Sequence, residues 1–202
     1  TTDSAIGIHG HDVCLAHMNN RTLMGYIDYA EADFDLVGFH DNSTTTLAVA
    51  EVNVDIVGGA GTANQTNAFD CMSINSTTAI FAWVNQTGPV PRSNRIQYAK
   101  YNSVGTAMIA ATIVANDTGA NNRTAVAVTT LDTDKFVIAW YDETQQDVSM
   151  RIQWTNNTTI LGETDVNTTA GLPTRGRLDL ATIGNASGAA DNFAVVWYSA
   201  DS

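Results

Sequence analysis

The stretch FVIAWYDE, residues 136–143, decides the fold of this chain because the chain repeats it. Close copies are AIFAWVNQ at residues 79–86 and FAVVWYSA at residues 193–200. A constant spacing over the whole length is typical of repeat architectures, in which each repeat is one supersecondary unit. The repeated aromatic residue stands at Tyr26, Trp83, Trp140 and Trp197, with 57 residues from each to the next.

Each repeat contains short strands, as the alternation of side chains indicates. In FVIAW, Phe136, Ile138 and Trp140 point to one side of an extended chain, whereas Val137 and Ala139 point to the other. Both sides are apolar, so we expect these strands to be covered on both faces. Another candidate strand precedes the aromatic strand in every unit, and two more follow it in the first three units, joined by turns rich in Asn, Asp, Gly and Thr. The pattern predicts an all-β fold of tandem four-stranded antiparallel units of 57 residues, arranged as β-propeller-like blades.

The unit at residues 129–169 resembles tandem repeats of large secreted and cell-surface proteins. Those repeats carry a Phe-Val-x-x-Trp strand, an Asp-containing turn, an Arg-centred strand, a Gly turn and an Asn-Thr ending. The resemblance covers all units, is weakest in the first, and implies a β-propeller-like fold with an extracellular or cell-surface location. It implies no activity. The matching residues are Phe136, Val137, Trp140, Asp147, Arg151, Gly162, Asn167 and Thr168.

The repeats organise the chain as a single repeat domain spanning residues 1–202. We expect an N-terminal strand at residues 1–10, units at about residues 11–67, 68–124 and 125–177, and a partial unit at residues 178–202. The partial unit predicts an unpaired strand edge, which proteins normally protect. The N-terminal strand can close the last blade, the chain can be a piece of a longer repeat protein, or a neighbouring molecule can supply the missing strand. The third arrangement predicts self-association into a polymer.

Composition and charge exclude several kinds of partner. The net charge is −12, with 21 acidic residues against 9 Lys and Arg, so the clustered cations that nucleic acid requires are missing. We therefore predict no nucleic acid partner. No apolar run approaches about 18 residues, which predicts no transmembrane segment. The chain opens at Thr1 without a leader, which fits a mature secreted form or an excised fragment.

Asn-x-Ser/Thr tripeptides are the most frequent chemical motif of the chain. N-glycosylation requires the hydroxyl two residues after the Asn and an exposed turn around it. A chain rich in Asn and Thr also produces such tripeptides by chance, and two of them overlap. We predict covalent N-glycans at several of the candidates, which are Asn20, Asn42, Asn64, Asn75, Asn85, Asn116, Asn122, Asn156, Asn157, Asn167 and Asn185.

The two cysteines suggest a link between adjacent units. Cys14 and Cys71 each stand twelve residues before the aromatic residue of their unit, so they take equivalent places in first strands. First strands of neighbouring blades converge toward a propeller axis, and a disulfide needs Cα atoms within roughly 7 Å. We predict a disulfide between Cys14 and Cys71. The alternative is a pair of buried thiols that act as small apolar residues.

Candidate metal ligands are few. His9 and His11 alternate on one face of a strand, which is metal-ligand spacing, but no third ligand is obvious at short range. Asp132 and Asp134 offer oxygen ligands suited to calcium, although their place between two strands is more typical of turn residues. We predict no metal site.

Candidate catalytic residues are also few. Asp142, Glu143 and Asp147 stand in one turn, where any two carboxylates can pair for glycoside hydrolysis. A turn full of acids is more typical of a solvated surface. There is no Ser/His/Asp arrangement with a nucleophile elbow and no phosphate-binding loop. We therefore predict no catalytic residue, no cofactor-binding residue and no cofactor, and the chain is expected not to be an enzyme.

The aromatic residues separate into two sets. The periodic set predicts packing between blades, each ring lying on the neighbouring blade. The second set is expected to be partly exposed and available to a ligand or partner, and comprises Tyr98, Tyr141, Trp154 and Tyr198.

Two functions fit these observations. The first is a structural extracellular glycoprotein, a subunit or segment of a surface filament, sheath or adhesin that assembles through strand edges. It is favoured by the interrupted repeat, the density of glycosylation motifs and the missing catalytic constellation. The alternative is a carbohydrate-binding, lectin-like propeller module with acids and aromatics in its turns as the site.

Overall fold

The structure, a computed structural model, describes ten segments of the chain and shows an all-β fold. The described residues are 13–19, 21–28, 33–40, 47–56, 69–87, 93–104, 107–115, 123–167, 178–183 and 192–197. Residues 1–10, with the expected N-terminal strand and His9, lie outside them, as do His11 and Tyr198. Within the described segments no helix is long and apolar enough to cross a membrane.

The strands form four antiparallel sheets in chain order, which we call blades 1 to 4. Blade 1 contains β1 (Val13–Met18), β2 (Arg21–Asp28), β3 (Asp33–His40) and β4 (Leu47–Ile56). Blade 2 contains β5 (Phe69–Asn75), β6 (Thr78–Thr87), β7 (Ser93–Asn102) and β8 (Ala107–Ala115). Blade 3 contains β9 (Arg123–Asp132), β10 (Lys135–Asp142), β11 (Asp147–Trp154) and β12 (Thr159–Asp165). The described part of blade 4 contains β13 (Leu178–Ile183) and β14 (Asn192–Trp197).

The first strands of the blades lie side by side. β1 packs against β5, β5 packs against β9, and β9 packs against β13. Each blade extends away from this line as a meander whose strands pair only with their chain neighbours. Repetition of meanders around converging first strands is the β-propeller arrangement. The all-β, propeller-like prediction is confirmed.

Each blade has a preceding face, turned toward the blade before it in the chain, and a following face, turned toward the blade after it. Directly opposed residues of an antiparallel pair share a face. Trp83 is opposite Phe69, Trp140 is opposite Val126, and Trp197 is opposite Leu178.

These pairs place all three tryptophans on preceding faces. Trp83 and Trp140 are 0% exposed within a core formed by residues of blades 1, 2 and 3. Trp197 is half-buried against a second core in blade 3, and Tyr26 is buried in the equivalent place of blade 1. The three tryptophans therefore pack between blades.

The third strands do not follow the repeat. Gln97 of RIQY lies opposite Trp83, but Gln153 of RIQW lies opposite Phe136, four residues before the repeated tryptophan. As a result Tyr98 is fully buried, whereas Trp154 is half-buried. The expectation that Tyr98 is partly exposed is wrong, and so is the same expectation for Tyr141, which is 3% exposed.

Candidate functional site

The most concentrated group of ionisable side chains lies at one end of blade 3. Antiparallel pairing brings the start of β9, the end of β10, the start of β11 and the end of β12 to the same end of the sheet. Asp142 is paired with both Asp147 and Arg123, and Asp165 is paired with Ser149. We call this group the carboxylate cluster; its members are Arg123, Asp142, Glu143, Asp147, Glu163 and Asp165.

Arg123 is the cation of the carboxylate cluster. Its side chain is only 3% exposed, with Nε 3.6 Å from Asp142 Oδ2 and Nη2 3.3 Å from Glu163 Oε1. The guanidinium also lies 5.9 Å from the centre of the Trp140 ring, a cation–π distance. The cluster therefore holds five carboxylates and one guanidinium, which lies within ion-pair distance of two of them, so it is rich in hydrogen-bond acceptors and poor in donors.

Asp142 anchors the turn between β10 and β11. Its Oδ1 accepts the backbone N–H groups of Thr144 at 2.9 Å and Gln145 at 3.1 Å. The residue is 0% exposed. The expectation that the acids of this turn form a solvated surface is therefore wrong for Asp142, because the side chain turns back under the loop to meet Arg123.

Asp147 is the acid of the cluster with a perturbed pKa. Burial, with the charges of Asp165, Asp142 and Glu163, raises the pKa of Asp147 to about 6, against a hydrogen bond from Ser149 that lowers it. Among the described residues, no hydrogen-bond donor reaches Asp147 Oδ1 or Asp142 Oδ2. The cluster thus places a carboxyl group that takes up a proton just below neutral pH beside carboxylates that accept hydrogen bonds.

Sequence reasoning named Asp142, Glu143 and Asp147 but missed the rest of the cluster. Arg123 lies in β9, whereas Glu163 and Asp165 lie in β12, and Arg123 and Asp165 are 42 residues apart in the chain. In a meander, odd strands start where even strands end, so charged residues at those alternating ends are neighbours. That rule, applied to the four strands of the unit, is the signal that finds them.

A second buried carboxylate lies where the first strands converge. Asp70, in β5, accepts the N–H of its neighbour Cys71 at 2.8 Å and the N–H of Val128 in β9 at 2.7 Å. Burial raises the pKa of Asp70 to about 6, with a smaller contribution from the charge of Asp179 in β13. Both oxygens are occupied, Oδ1 within β5 and Oδ2 across to β9, so Asp70 links two blades rather than offering itself to a ligand.

The predicted disulfide is confirmed, since Cys14 and Cys71 are bonded and their Cα atoms lie 5.7 Å apart. Their supposed equivalence is wrong. Cys14 is opposite Gly25, one residue before Tyr26, whereas Cys71 is opposite Phe81, two residues before Trp83.

An irregularity between Ser73 and Asn75 in β5, absent from β1, accounts for the difference. One extra residue in a strand reverses the side to which the residues beyond it point. Cys14 therefore lies on the following face of blade 1 and meets Cys71 on the preceding face of blade 2.

The glycosylation candidates fall in different environments. Asn75, Asn156 and Asn157 are exposed in turns, although Tyr98 donates a hydrogen bond to Asn157. Asn85 is 5% exposed, and Asn167 is half-buried with its Oδ1 accepting the N–H of Val148 at 2.7 Å. Six candidates lie outside the described residues, namely Asn20, Asn42, Asn64, Asn116, Asn122 and Asn185.

The described metal candidates, Asp132 and Asp134, do not form a metal site with other side chains of the described residues. Asp132 accepts the N–H of Thr133 at 2.6 Å, which is the behaviour of a turn residue. Within the described ranges, no set of three or more His, Cys, Asp or Glu side chains is arranged to hold a metal ion.

Comparison with known proteins gives a structural likeness. No protein-family model matches the chain, and no curated protein matches it. The fold is similar to that of Penicillium chrysogenum alpha-L-arabinanase, solved in complex with arabinobiose, with a TM-score of 0.60 and 12% sequence identity. The match covers 98% of this chain and 61% of the arabinanase chain, so this chain spans less than two thirds of that protein.

The comparison corrects one expectation. The prediction that the chain is not an enzyme is wrong. It was drawn from the repeats and the turn residues, but a protein with a similar propeller-like fold is an arabinanase. At 12% identity the likeness establishes the fold, and the reaction of that protein does not transfer with it.

Proposed function

We propose that this chain is a carbohydrate-binding propeller module whose sugar site is the carboxylate cluster. A cluster rich in acceptors needs a ligand that supplies donors, and the hydroxyl groups of a neutral sugar do so. An anionic ligand is disfavoured because it would meet five carboxylates around one guanidinium. The likeness to a propeller solved with arabinobiose supports a sugar as the ligand.

The observation that carries the proposal is the layered arrangement of the cluster. Asp142 and Arg123 are buried and held in place, while Glu163 is 43% exposed and Asp165 is also exposed. Fixed groups below and accessible acceptors above give a preorganised polar surface, which binds a ligand without first having to be ordered. Ser149 orients the upper layer, since its hydroxyl donates to Asp165 Oδ1 at 3.2 Å.

Titration calorimetry with arabinobiose and a panel of neutral oligosaccharides tests this proposal. Glu163→Gln and Asp165→Asn keep the shape of the site and remove acceptor charge, so each is expected to weaken binding about tenfold, the loss of one charged hydrogen bond. Asp134→Asn, on the exposed turn at the opposite end of blade 3, is the matched control and is expected to bind like the original chain. Equal affinity in all four proteins would show that the sugar does not bind at the carboxylate cluster.

Glycoside hydrolysis is a second candidate, favoured specifically by Asp147. Retaining and inverting glycosidases pair a carboxylic acid of raised pKa with an ionised carboxylate. Asp147, with its pKa raised to about 6 beside Asp142 and Asp165, has the property required of the acid.

Reducing-end release from arabino-oligosaccharides measures hydrolysis directly. Asp147→Asn is expected to abolish release while binding persists, because the amide cannot donate the proton. Release that is unaffected by this substitution would exclude Asp147 as the acid.

The extracellular location, the N-glycans and the assembly into a surface filament through strand edges stay predictions from the sequence. The disulfide supports an oxidising compartment. For N-glycosylation we favour the exposed candidates Asn75 and Asn156 over Asn85, whose burial leaves no room for a glycan. The intact mass of native material before and after enzymatic deglycosylation checks the glycans; an unchanged mass would refute them.

A further inference from the structure

A disulfide, a carboxylate and two backbone groups meet where the first strands of blades 1, 2 and 3 converge. Cys14 Sγ of β1 lies 3.8 Å from Asp70 Oδ1 of β5 and 3.4 Å from the carbonyl oxygen of Cys71. Asp70 Oδ2 accepts the N–H of Val128 in β9 at 2.7 Å. The bridge between blades 1 and 2 therefore adjoins the same carboxyl group that makes the hydrogen bond between blades 2 and 3.

The contact between Cys14 and Asp70 depends on the redox state of the bridge. In the disulfide, Cys14 Sγ carries no hydrogen, so its approach to Asp70 is not a hydrogen bond. Reduction adds a hydrogen to the sulfur and makes it a donor. A carboxylate oxygen has two lone pairs, so Asp70 Oδ1 can accept this S–H besides the N–H of Cys71. The carbonyl of Cys71 is the competing acceptor, and a carboxylate is the stronger of the two.

Among the described residues, few charged groups face Asp70. Asp179 of β13 is the neighbour whose charge adds to burial in raising the pKa of Asp70 to about 6. Tyr98 of β7 lies on the same face of blade 2, and burial raises its pKa to about 12, so it is neutral near pH 7. The basic residues of the facing strands have partners elsewhere, at backbone carbonyls or in the carboxylate cluster; they are Arg21 in β2, Lys100 in β7 and Arg123 in β9.

We propose that the Cys14–Cys71 bridge is a redox switch that a dithiol reductant opens and that is coupled to the ionisation of Asp70. Two electrons and two protons pass from the dithiol to the bridge: its S–S bond breaks, two thiols form, and the reductant closes an S–S bond of its own. The Cys14 thiol then donates to Asp70 Oδ1. A hydrogen bond to the ionised carboxylate favours that form, so opening the switch releases the Asp70 proton to solvent.

Opening the switch affects the two junctions differently. Blade 1 loses its covalent link to blade 2. Ionised Asp70 is a stronger acceptor than the protonated acid, so its bonds to the N–H groups of Cys71 and Val128 persist. Reduction therefore loosens blade 1 while blades 2 and 3 stay joined.

The redox equilibrium of the 202-residue chain with dithiothreitol tests the coupling. Mixtures of reduced and oxidised dithiothreitol are equilibrated from both directions and quenched with acid, and alkylation followed by mass spectrometry counts the free thiols. Because Asp70 loses its proton on reduction, the equilibrium constant for reduction is expected to rise about tenfold from about pH 5 to pH 7.5, which corresponds to one unit between the Asp70 pKa values of the two forms.

Two single variants assign the rise to Asp70. Asp70→Asn has no proton to release, so its equilibrium constant is expected to be independent of pH over the same range. Asp134→Asn, in the exposed turn between β9 and β10, is the matched control and is expected to show the same rise as the original chain.

Two double variants test the hydrogen bond without any reductant. Cys14→Ser with Cys71→Ala leaves a hydroxyl donor beside Asp70, whereas Cys14→Ala with Cys71→Ala leaves none. The pKa of Asp70, followed by NMR of the carboxyl carbon, is expected to be about one unit lower in the variant with serine. Both variants lack the bridge, so its loss affects them alike, and they decide the question if Asp70→Asn does not fold.

Near-ultraviolet circular dichroism of the reduced chain shows whether it stays folded, which the switch requires. An equilibrium constant that does not change with pH, or that changes equally in Asp70→Asn, would overturn the proposal. The same holds for a reduced chain that has lost its native circular dichroism, and for equal Asp70 pKa values in the two double variants.

Discussion

Asp70 Oδ2 accepts a hydrogen bond from the backbone N–H of Val128 at 2.7 Å, so a carboxylate in one first strand satisfies the open edge of the next. The same side chain binds its neighbour Cys71 through Oδ1. Burial nevertheless outweighs these bonds and raises the pKa of Asp70 to about 6. The link between blades 2 and 3 is therefore sensitive to protonation.

Asp70→Asn is expected to remove part of the pH dependence of stability. The folded chain holds the Asp70 proton more tightly than the unfolded chain, because the pKa rises from 3.8 to about 6. The stability this proton contributes is fully present below the unfolded pKa and is lost as pH rises through about 6, a change on the order of 3 kcal/mol. Urea unfolding from about pH 4 to pH 8 measures it.

Asp134→Asn is the matched control for that experiment, because Asp134 is exposed in the turn between β9 and β10. The original chain should lose stability relative to Asp70→Asn as pH rises from about 4 to 8. A difference that stays constant over the range would contradict a buried, proton-binding Asp70.

Asp147→Asn is expected to stabilise the protein at alkaline pH. Burial and the charges of Asp165, Asp142 and Glu163 raise the pKa of Asp147 to about 6, so its ionised form is disfavoured in the folded state. The variant should gain less than about 1 kcal/mol above that pH, after solvent screening. A rise in Tm of up to about 2–4 °C reports it. Added salt should reduce the gain, and a loss of Tm would contradict the assigned repulsion.

Replacing both Cys14 and Cys71 with Ser is expected to lower the free energy of unfolding by about 4 kcal/mol, because the bridge closes a loop of 57 residues in the unfolded chain. Urea unfolding of the original chain with and without reductant gives an independent estimate. The double variant should not respond to reductant. Equal stability of oxidised and reduced protein would show that the bridge does not constrain the unfolded state.

Trp140→Ala is expected to lower the free energy of unfolding by about 3–5 kcal/mol, the range for a large aromatic removed from a core. Trp154→Ala is the comparison, since Trp154 is half-buried at the other end of blade 3 with Lys135 Nζ 5.2 Å from its ring centre. Trp154→Ala should lower the free energy of unfolding by clearly less than Trp140→Ala does. Thermal or urea unfolding measures both, and equal losses would contradict the different burial of the two rings.

Much of the fold was readable from local pattern. Alternation of apolar residues in FVIAW predicts a strand covered on both faces, and β10 is buried along that stretch. The constant spacing of Trp83, Trp140 and Trp197 predicts repeated packing, and all three rings lie on preceding faces. These features follow from the chain alone because strand alternation and repeat period are properties of neighbouring residues.

The candidate site was readable only in part. Asp142 and Asp147 stand in one visible turn, but Arg123 and Glu163 reach them only through the pairing of β9 to β12. A solvated turn was the wrong expectation for Asp142, because sequence does not show whether a side chain points out of a loop or back beneath it.

The sequence by itself determined the all-β repeat, the strand that carries the aromatic marker and the pairing of the two cysteines. Tertiary structure alone decided which face each residue occupies, how the carboxylate cluster assembles and where the pKa values rise. The physical reason is that one extra residue in β5 reverses the direction of every side chain before it, and burial follows direction. Cys14 and Cys71 can meet only because that reversal turns them toward each other.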